Sequence, residues 1–139
     1  MLQAGTDTET VLRVLIVDDS AVLRDHVRVA LEDAGLTVVG EAADGVHALT
    51  QAATRDPDVV LMDLRMPGMD GIQAARALRE QQPQTRVVLW TGEDDAHLAS
   101  AIRKSGAHAG VAKSIRTVEL VATLRRVCQG CPRPRPDGC

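Results

Sequence analysis

The sequence predicts an α/β fold, in which five parallel strands alternate with five helices in one doubly wound sheet covered on both faces. Short apolar runs alternate along the chain with segments whose apolar residues recur at helical spacing. The central run, Val59 to Met62, is apolar at every position, which is typical of a strand buried on both faces. A chain of 139 residues, 45% of them apolar, suits one domain with a substantial core.

The first two strand–helix pairs occupy the N-terminal part of the chain. A strand over 12–17 ends in Asp18-Asp19-Ser20, whose second or third residue can cap the following helix. That helix ends at Gly35, and the second strand covers 36–42. The second helix begins near 45 and runs to about 55, because an Asp-Pro pair then stops it.

The remaining strands are short apolar runs, over 59–62, 86–91 and 109–112. The helices that follow them cover 70–81, 94–104 and 117–128. The first of these is broken by Gln82-Pro83 and the second is ended by Gly106, whereas Thr117 can cap the third. The apolar stripe of the last helix, which we expect to face the core, comprises Leu120, Val121, Leu124, Val127 and Cys128.

Both ends of the chain are expected to lie outside the domain, which then covers 11–128. Residues 1–10 are polar and predict a disordered leader, and 129–139 predict a disordered tail rich in proline and cysteine. Because all three cysteines, Cys128, Cys131 and Cys139, lie at this end, the fold does not depend on disulfides. Exposed thiols are favoured over a zinc site, since structural zinc needs four ligands.

The net charge of −3 gives no reason to expect nucleic-acid or membrane binding by this chain. No apolar run approaches the roughly 20 residues of a membrane span. The N-terminus also lacks the apolar core of a signal peptide. We therefore expect a cytoplasmic protein.

Polar residues follow the first, third, fourth and fifth strands at their carboxyl ends: Asp18, Asp19, Asp63, Thr91 and Lys113. Because these ends meet at one edge of a parallel sheet, we expect one crevice there. Two carboxylates about 4 Å apart repel by roughly 4 kcal/mol at an effective dielectric constant near 20. A divalent cation offsets this repulsion, and an all-oxygen site suits Mg²⁺.

These residue types indicate a phosphoryl-transfer site. Asp63 can attack phosphorus and become an acyl phosphate, while Lys113 and the Thr91 hydroxyl hold the transferred group. Gly92 adds a backbone N–H that no side chain shields. A second Asp two residues after the nucleophile would indicate a haloacid-dehalogenase-type phosphatase, but Arg65 stands there.

Several motifs resemble, in order and spacing over about 11–128, the receiver domain of bacterial two-component response regulators. They are Asp18-Asp19-Ser20, Asp63-Leu64-Arg65-Met66-Pro67-Gly68, Trp90-Thr91-Gly92 and the segment 106–113 that ends in Lys113. The resemblance implies a flavodoxin-like strand order, 2-1-3-4-5. It also implies phosphorylation of Asp63 by a sensor histidine kinase, a phosphotransfer protein or a small phosphodonor.

The resemblance further assigns roles within the site. It implies that Asp19 binds Mg²⁺ directly and Asp18 through water, with Asp63 and the backbone carbonyl of Arg65 as further ligands. Thr91 would move to the phosphoryl group and signal to the face formed by the fourth helix, fifth strand and fifth helix. The chain would then act on a downstream protein partner or a lost output domain, and a homodimer is left open. It would catalyse only its own phosphoryl transfer and hydrolysis.

Two positions depart from the pattern of the family. Ser114 follows Lys113, where the family usually has a proline in a cis peptide. A non-proline cis bond costs about 2.5–4 kcal/mol, so we expect a trans bond and a shifted or looser Lys113. Gly110 falls where the family has an aromatic switch residue, and the chain has no Tyr or Phe to replace it. Trp90 is expected to pack in the core.

Other interpretations remain at this stage. Asp18 and Asp19 can serve as helix caps, Thr91 as an ordinary strand residue and Lys113 as a solvated loop residue. The four histidines, His26, His47, His97 and His108, show no metal-ligand spacing and are expected on the surface. At the level of function, the rivals are a docking module that is never phosphorylated and the receiver fragment of a helix-turn-helix transcription regulator.

Overall fold

The computed structural model describes residues 11–92 and 95–129. Strands β1 to β5 are Arg13–Val17, Thr37–Ala42, Val59–Asp63, Arg86–Thr91 and Ala109–Ala112. Helices α1 to α5 are Ala21–Asp33, Gly45–Arg55, Gly71–Gln81, Asp95–Ser105 and Thr117–Cys128. All strand pairs are parallel and the order is β2-β1-β3-β4-β5. The predicted fold class and strand order are confirmed.

The predicted leader over 1–10 lies outside the described residues, as does the predicted tail beyond residue 129. Among the residues that the structure describes, none of the helices is long and apolar enough to cross a membrane.

The core lies on both faces of the sheet because alternate residues of each central strand point to opposite sides. One face packs Leu15, Val60 and Leu89 against α2, α3 and α4. The other packs residues such as Ile16 and Trp90 against α1 and α5. Every residue of β3 is buried, as expected for a central parallel strand.

The helix starts follow from local capping, with one correction. Ser20 caps α1 by accepting a hydrogen bond from the N–H of Leu23, and Asp70 forms a capping box with Gln73 at the start of α3. The prediction that Thr117 caps the last helix is wrong. Thr117 is already the first helical residue, and the N-cap is Arg116, whose side chain makes no capping hydrogen bond.

Gly71 allows α3 to begin directly against the end of β3. A Cβ atom at this position would lie 2.4 Å from the carbonyl oxygen of Asp63 and 2.8 Å from the Cα of Leu64. Both neighbours are backbone atoms, so no flexible side chain can move aside. The missing side chain therefore sets how closely the helix approaches the residue that ends the central strand.

We expect Gly71→Ala to lower the free energy of unfolding by about 1–3 kcal/mol, because the added methyl group overpacks this contact. Urea denaturation monitored by circular dichroism measures the change. Gly92→Ala is the matched control, since a Cβ there meets no atom within 4 Å. Equal stability of the two variants would contradict the tight contact.

Candidate functional site

The carboxyl edge of the sheet gathers the predicted residues through main-chain hydrogen bonds that continue past the strands. The N–H of Asp18 donates to the carbonyl of Ala42 at 3.0 Å. The N–H of Lys113 donates to the carbonyl of Thr91 at 2.7 Å. These bonds fix the residue that follows β1 beside the end of β2, and the residue that follows β5 beside the end of β4.

Three carboxyl groups form a cluster at this edge. Asp18, Asp19 and Asp63 each offer one carboxylate oxygen, and these oxygens lie within 4.8 Å of one another. Asp18 and Asp63 are 1% and 2% exposed, whereas Asp19 is exposed. The cluster is thus buried on one side and open to solvent at Asp19.

Lys113 supplies the positive charge of the cluster. Its Nζ lies 2.8 Å from Oδ2 of Asp18 and 3.1 Å from Oδ1 of Asp63. As expected, no cis peptide bond occurs in the described part of the chain. The main-chain bond to Thr91 anchors the backbone of Lys113, and its long side chain reaches both acids. The expectation of a shifted or looser lysine stays a prediction.

Backbone N–H groups also hold the two buried carboxylates in place. The N–H of Ser20 donates to Oδ1 of Asp18 at 2.8 Å, and the N–H of Arg65 donates to Oδ1 of Asp63 at 3.2 Å. Each donor lies two residues after its acid, so the local turn sets the side-chain orientation. The carboxylates are therefore oriented by groups that the sequence places nearby.

The electrostatic environment opposes ionisation of Asp63. Burial raises its pKa above the ordinary value, and the neighbouring charge of Asp18 raises it further. The N–H of Arg65 and the ammonium of Lys113 act in the opposite direction but do not cancel this effect. For Lys113, burial lowers the pKa, yet the hydrogen bond and charge of Asp18 and Asp63 outweigh burial and leave the pKa raised. The lysine is therefore charged at neutral pH.

Thr91 and Gly92 lie where the sequence predicts them, at the end of β4. Thr91 is 1% exposed, whereas Gly92 is exposed and a Cβ atom added to it would meet no atom within 4 Å. Arg65 is exposed and contributes the backbone contact to Asp63. The assigned roles of Thr91, Gly92 and the carbonyl of Arg65 stay predictions.

An open cavity of about 650 Å³ borders the cluster on the side of the exposed acid. Asp19 and Arg65 line it from the loops, and His97, Ser100 and Lys104 line it from α4. The cavity gives a small molecule a route to the edge of the acidic cluster.

The position of Gly110 shows a contact that sequence reasoning missed. A Cβ there would lie 2.7 Å from Cδ1 of Leu98 and 2.9 Å from Cδ1 of Ile102. Two side chains of α4 therefore pack against bare backbone of β5. No local pattern in the sequence signals this contact, because it joins two elements through tertiary packing.

Two surface expectations need correction. His108 is half-buried, since its Nδ1 accepts a hydrogen bond from the N–H of Val87, and burial together with Arg79 and Arg86 lowers its pKa. Cys128 is also half-buried, with its Sγ 4.0 Å from the carbonyl oxygen of Asp58. The other two cysteines lie outside the described residues.

The expectation of a surface position is confirmed for the other three histidines. The expectation that Trp90 packs in the core is also confirmed. His26, His47 and His97 are exposed, and Trp90 is 2% exposed in the core.

Comparison with known proteins matches residues 14–125 to the family model of the response regulator receiver domain. The chain is 45% identical over 96 residues to protein-glutamate methylesterase/protein-glutamine glutaminase 3 of Hahella chejuensis, covering 68% of this chain and 28% of that protein. It is 37% identical over 120 residues to the response regulator GacA of Pseudomonas viridiflava, covering 86% and 56%. The chain thus spans about half, or less, of the length of these relatives.

A solved structure is similar over nearly its whole length. The signal receiver domain of the putative response regulator NarL from Mycobacterium tuberculosis superposes with a TM-score of 0.79 at 37% identity. The match covers 86% of this chain and 98% of that one.

The raised pKa of Asp63 predicts a stability cost in the metal-free protein. A carboxyl group whose pKa is higher in the folded state than in the unfolded state destabilises the fold when it is ionised. This cost is absent at a pH below its pKa in the unfolded state, and it is complete at a pH above its pKa in the folded state. We expect Asp63→Asn to raise the free energy of unfolding at pH 7, in chelator, by on the order of 1 kcal/mol. The difference should shrink as the pH falls towards about 4. Urea denaturation across this range measures it.

Asp44→Asn is the matched control for that measurement. A backbone hydrogen bond from His47 lowers the pKa of Asp44, so its ionised form stabilises the fold and the substitution should bring no gain. A less stable Asp63→Asn variant at pH 7 would mean that the pair with Lys113 outweighs the burial of Asp63.

Proposed function

Since the chain belongs to the response regulator receiver domain family, we propose that Asp63 accepts a phosphoryl group in a Mg²⁺-dependent step of a two-component pathway. The observation that carries this proposal is the position of Asp63. It ends a fully buried strand, lies within reach of two further carboxyl groups and pairs with the ammonium of Lys113 at 3.1 Å.

The donor set fits a divalent cation of the Mg²⁺ type. Three carboxyl groups converge, two of them are buried, and one ammonium does not offset their charge. Asp18, Asp19, Asp63 and the backbone carbonyl of Arg65 would hold the ion. When bound, Mg²⁺ supplies positive charge that neutralises the oxygens of the transferring phosphoryl group.

Each residue of the site then has its own role in phosphoryl transfer. A carboxylate oxygen of Asp63 attacks phosphorus, a P–O bond forms, and the bond from phosphorus to the donor breaks, which leaves an acyl phosphate. The ammonium of Lys113, already beside that carboxylate, pairs with a phosphoryl oxygen. The hydroxyl of Thr91 and the N–H of Gly92 donate hydrogen bonds to the others.

The proposed donors are a sensor histidine kinase, a phosphotransfer protein or a small phosphodonor. The small phosphodonor can approach through the cavity beside Asp19. The proposed receiver domain covers 11–128 and works in the cytoplasm, as family membership suggests. Its output is a downstream protein partner or an output domain, since GacA and the methylesterase are longer than this chain. Oligomeric state is open to measurement by light scattering before and after phosphorylation.

Incubation with acetyl phosphate and Mg²⁺ should add one phosphoryl group to the intact mass of the protein, and Asp63→Asn should abolish the addition. Asp58→Asn is the matched control, because Asp58 is a buried acid next to the other end of the same strand. It accepts a hydrogen bond from the N–H of Arg13, and an asparagine oxygen can do the same. No mass gain with any phosphodonor or kinase would favour a docking module instead.

Asp19→Asn should weaken Mg²⁺ binding about tenfold or more, because it removes the exposed carboxylate of the cluster without disturbing the core. Isothermal titration calorimetry measures the dissociation constant. Asp44→Asn, which changes a half-buried helix cap that is not part of the cluster, should leave the dissociation constant unchanged. Equal affinities of the two variants would remove Asp19 from the metal site.

A further inference from the structure

We propose that Trp90 is a positioning residue for Lys113: the face of its indole ring holds the lysine ammonium between the carboxylates of Asp18 and Asp63. The consequence for phosphoryl transfer rests on the proposed function, whereas the contact itself does not. The position before Thr91 thereby acquires a role beyond filling the core.

The contact is a cation–π pair. Nζ of Lys113 lies over the ring of Trp90, 5.2 Å from its centroid. A lysine ammonium within about 6 Å of a ring centroid is attracted by the negative face of the ring, and tryptophan is the strongest partner for it. The ammonium thus has three attractive neighbours, which are two carboxylates and one aromatic face.

The indole ring of Trp90 is held in place by its strand and by burial. Trp90 lies on β4, paired in register with Asp63 on one side and Val111 on the other. Its carbonyl accepts a hydrogen bond from the N–H of Leu64 at 3.0 Å, and its side chain is 2% exposed. The ring and the acceptor carboxylate therefore occupy adjacent, hydrogen-bonded strands.

Packing alone does not orient Lys113. A cavity of about 90 Å³ lies beside Trp90 and Lys113, and its other walls include His26 of α1, Ile115 and the first residue of α5, Thr117. The lysine side chain is also 27% exposed. Because side chains do not fill this space, electrostatic attraction to the ring and the acids is what directs the ammonium.

Removal of the aromatic face should slow phosphoryl transfer. We expect Trp90→Leu, which keeps an apolar side chain, to lower the rate of phosphorylation by acetyl phosphate about threefold to tenfold. Trp90→Phe keeps an aromatic face and should remain within about twofold of the unchanged protein. The rate is followed by intact mass at saturating Mg²⁺.

Val88→Ala controls for general loss of packing. Val88 lies two residues earlier on the same strand, in the same core cluster, and is fully buried. Its truncation should lower the melting temperature and leave the rate unchanged at a temperature where every variant is folded. A rate loss as large in Val88→Ala as in Trp90→Leu would overturn the proposal.

A direct readout of the contact uses the two lysines of the chain, Lys104 and Lys113. Reductive ¹³C-methylation keeps their charge, and Lys104→Arg assigns the signals. The ring current should shift the methyl protons of Lys113 upfield in the unchanged protein. This shift should be lost in Trp90→Leu, while the Lys104 signal stays in place.

The two readouts separate this inference from the function on which it rests. An unshifted Lys113 signal in the unchanged protein, or equal phosphorylation rates for Trp90→Leu and the unchanged protein, overturns the positioning role. A shift that disappears in Trp90→Leu, in a protein that no donor phosphorylates, supports the contact and overturns the phosphoryl-transfer function.

Discussion

The charge balance among Asp18, Asp63 and Lys113 is the interaction on which the rest of the site depends. Two buried carboxylates face one ammonium at 2.8 and 3.1 Å, and Asp19 adds a third acid at the open side. The cluster therefore keeps an excess of negative charge. Burial raises the pKa of Asp63, the charge of Asp18 raises it further, and the excess charge favours the arrival of a cation. A more hydrophobic or fully paired arrangement would be more stable and would lack this affinity.

Much of the fold can be predicted from the sequence, because the patterns that indicate strands and helices are local. Apolar runs and glycine or proline breaks place every strand and helix within a residue or two, and the parallel alternation brings the strand ends together. The order of the strands came from the resemblance, since periodicity does not say which strands are neighbours. The acids and Lys113 are predictable for the same reason as the strands, because they stand at the ends of apolar runs.

What the sequence did not predict depends on tertiary contacts. The sequence around His108 predicts a surface residue in a loop. In the structure, however, Nδ1 of His108 accepts a hydrogen bond from the N–H of Val87 on the neighbouring strand. The reach of Lys113 to both acids depends on the separation of strands, which no local motif encodes. The same holds for Gly110, where Leu98 and Ile102 of α4 rest against the backbone. Aliphatic side chains of α4 therefore pack at the position where the resemblance implies an aromatic residue of β5.

The nearly complete absence of aromatic residues has a consequence for spectroscopy. Trp90 is the sole tryptophan in a chain without tyrosine or phenylalanine, so the protein has one intrinsic fluorophore and no background emission from others. That fluorophore is shielded from solvent and lies 5.2 Å from an ammonium group at the edge of the acidic cluster. Its intensity and lifetime thus report on a single place in the molecule, and time-resolved emission can follow events at the cluster without any label.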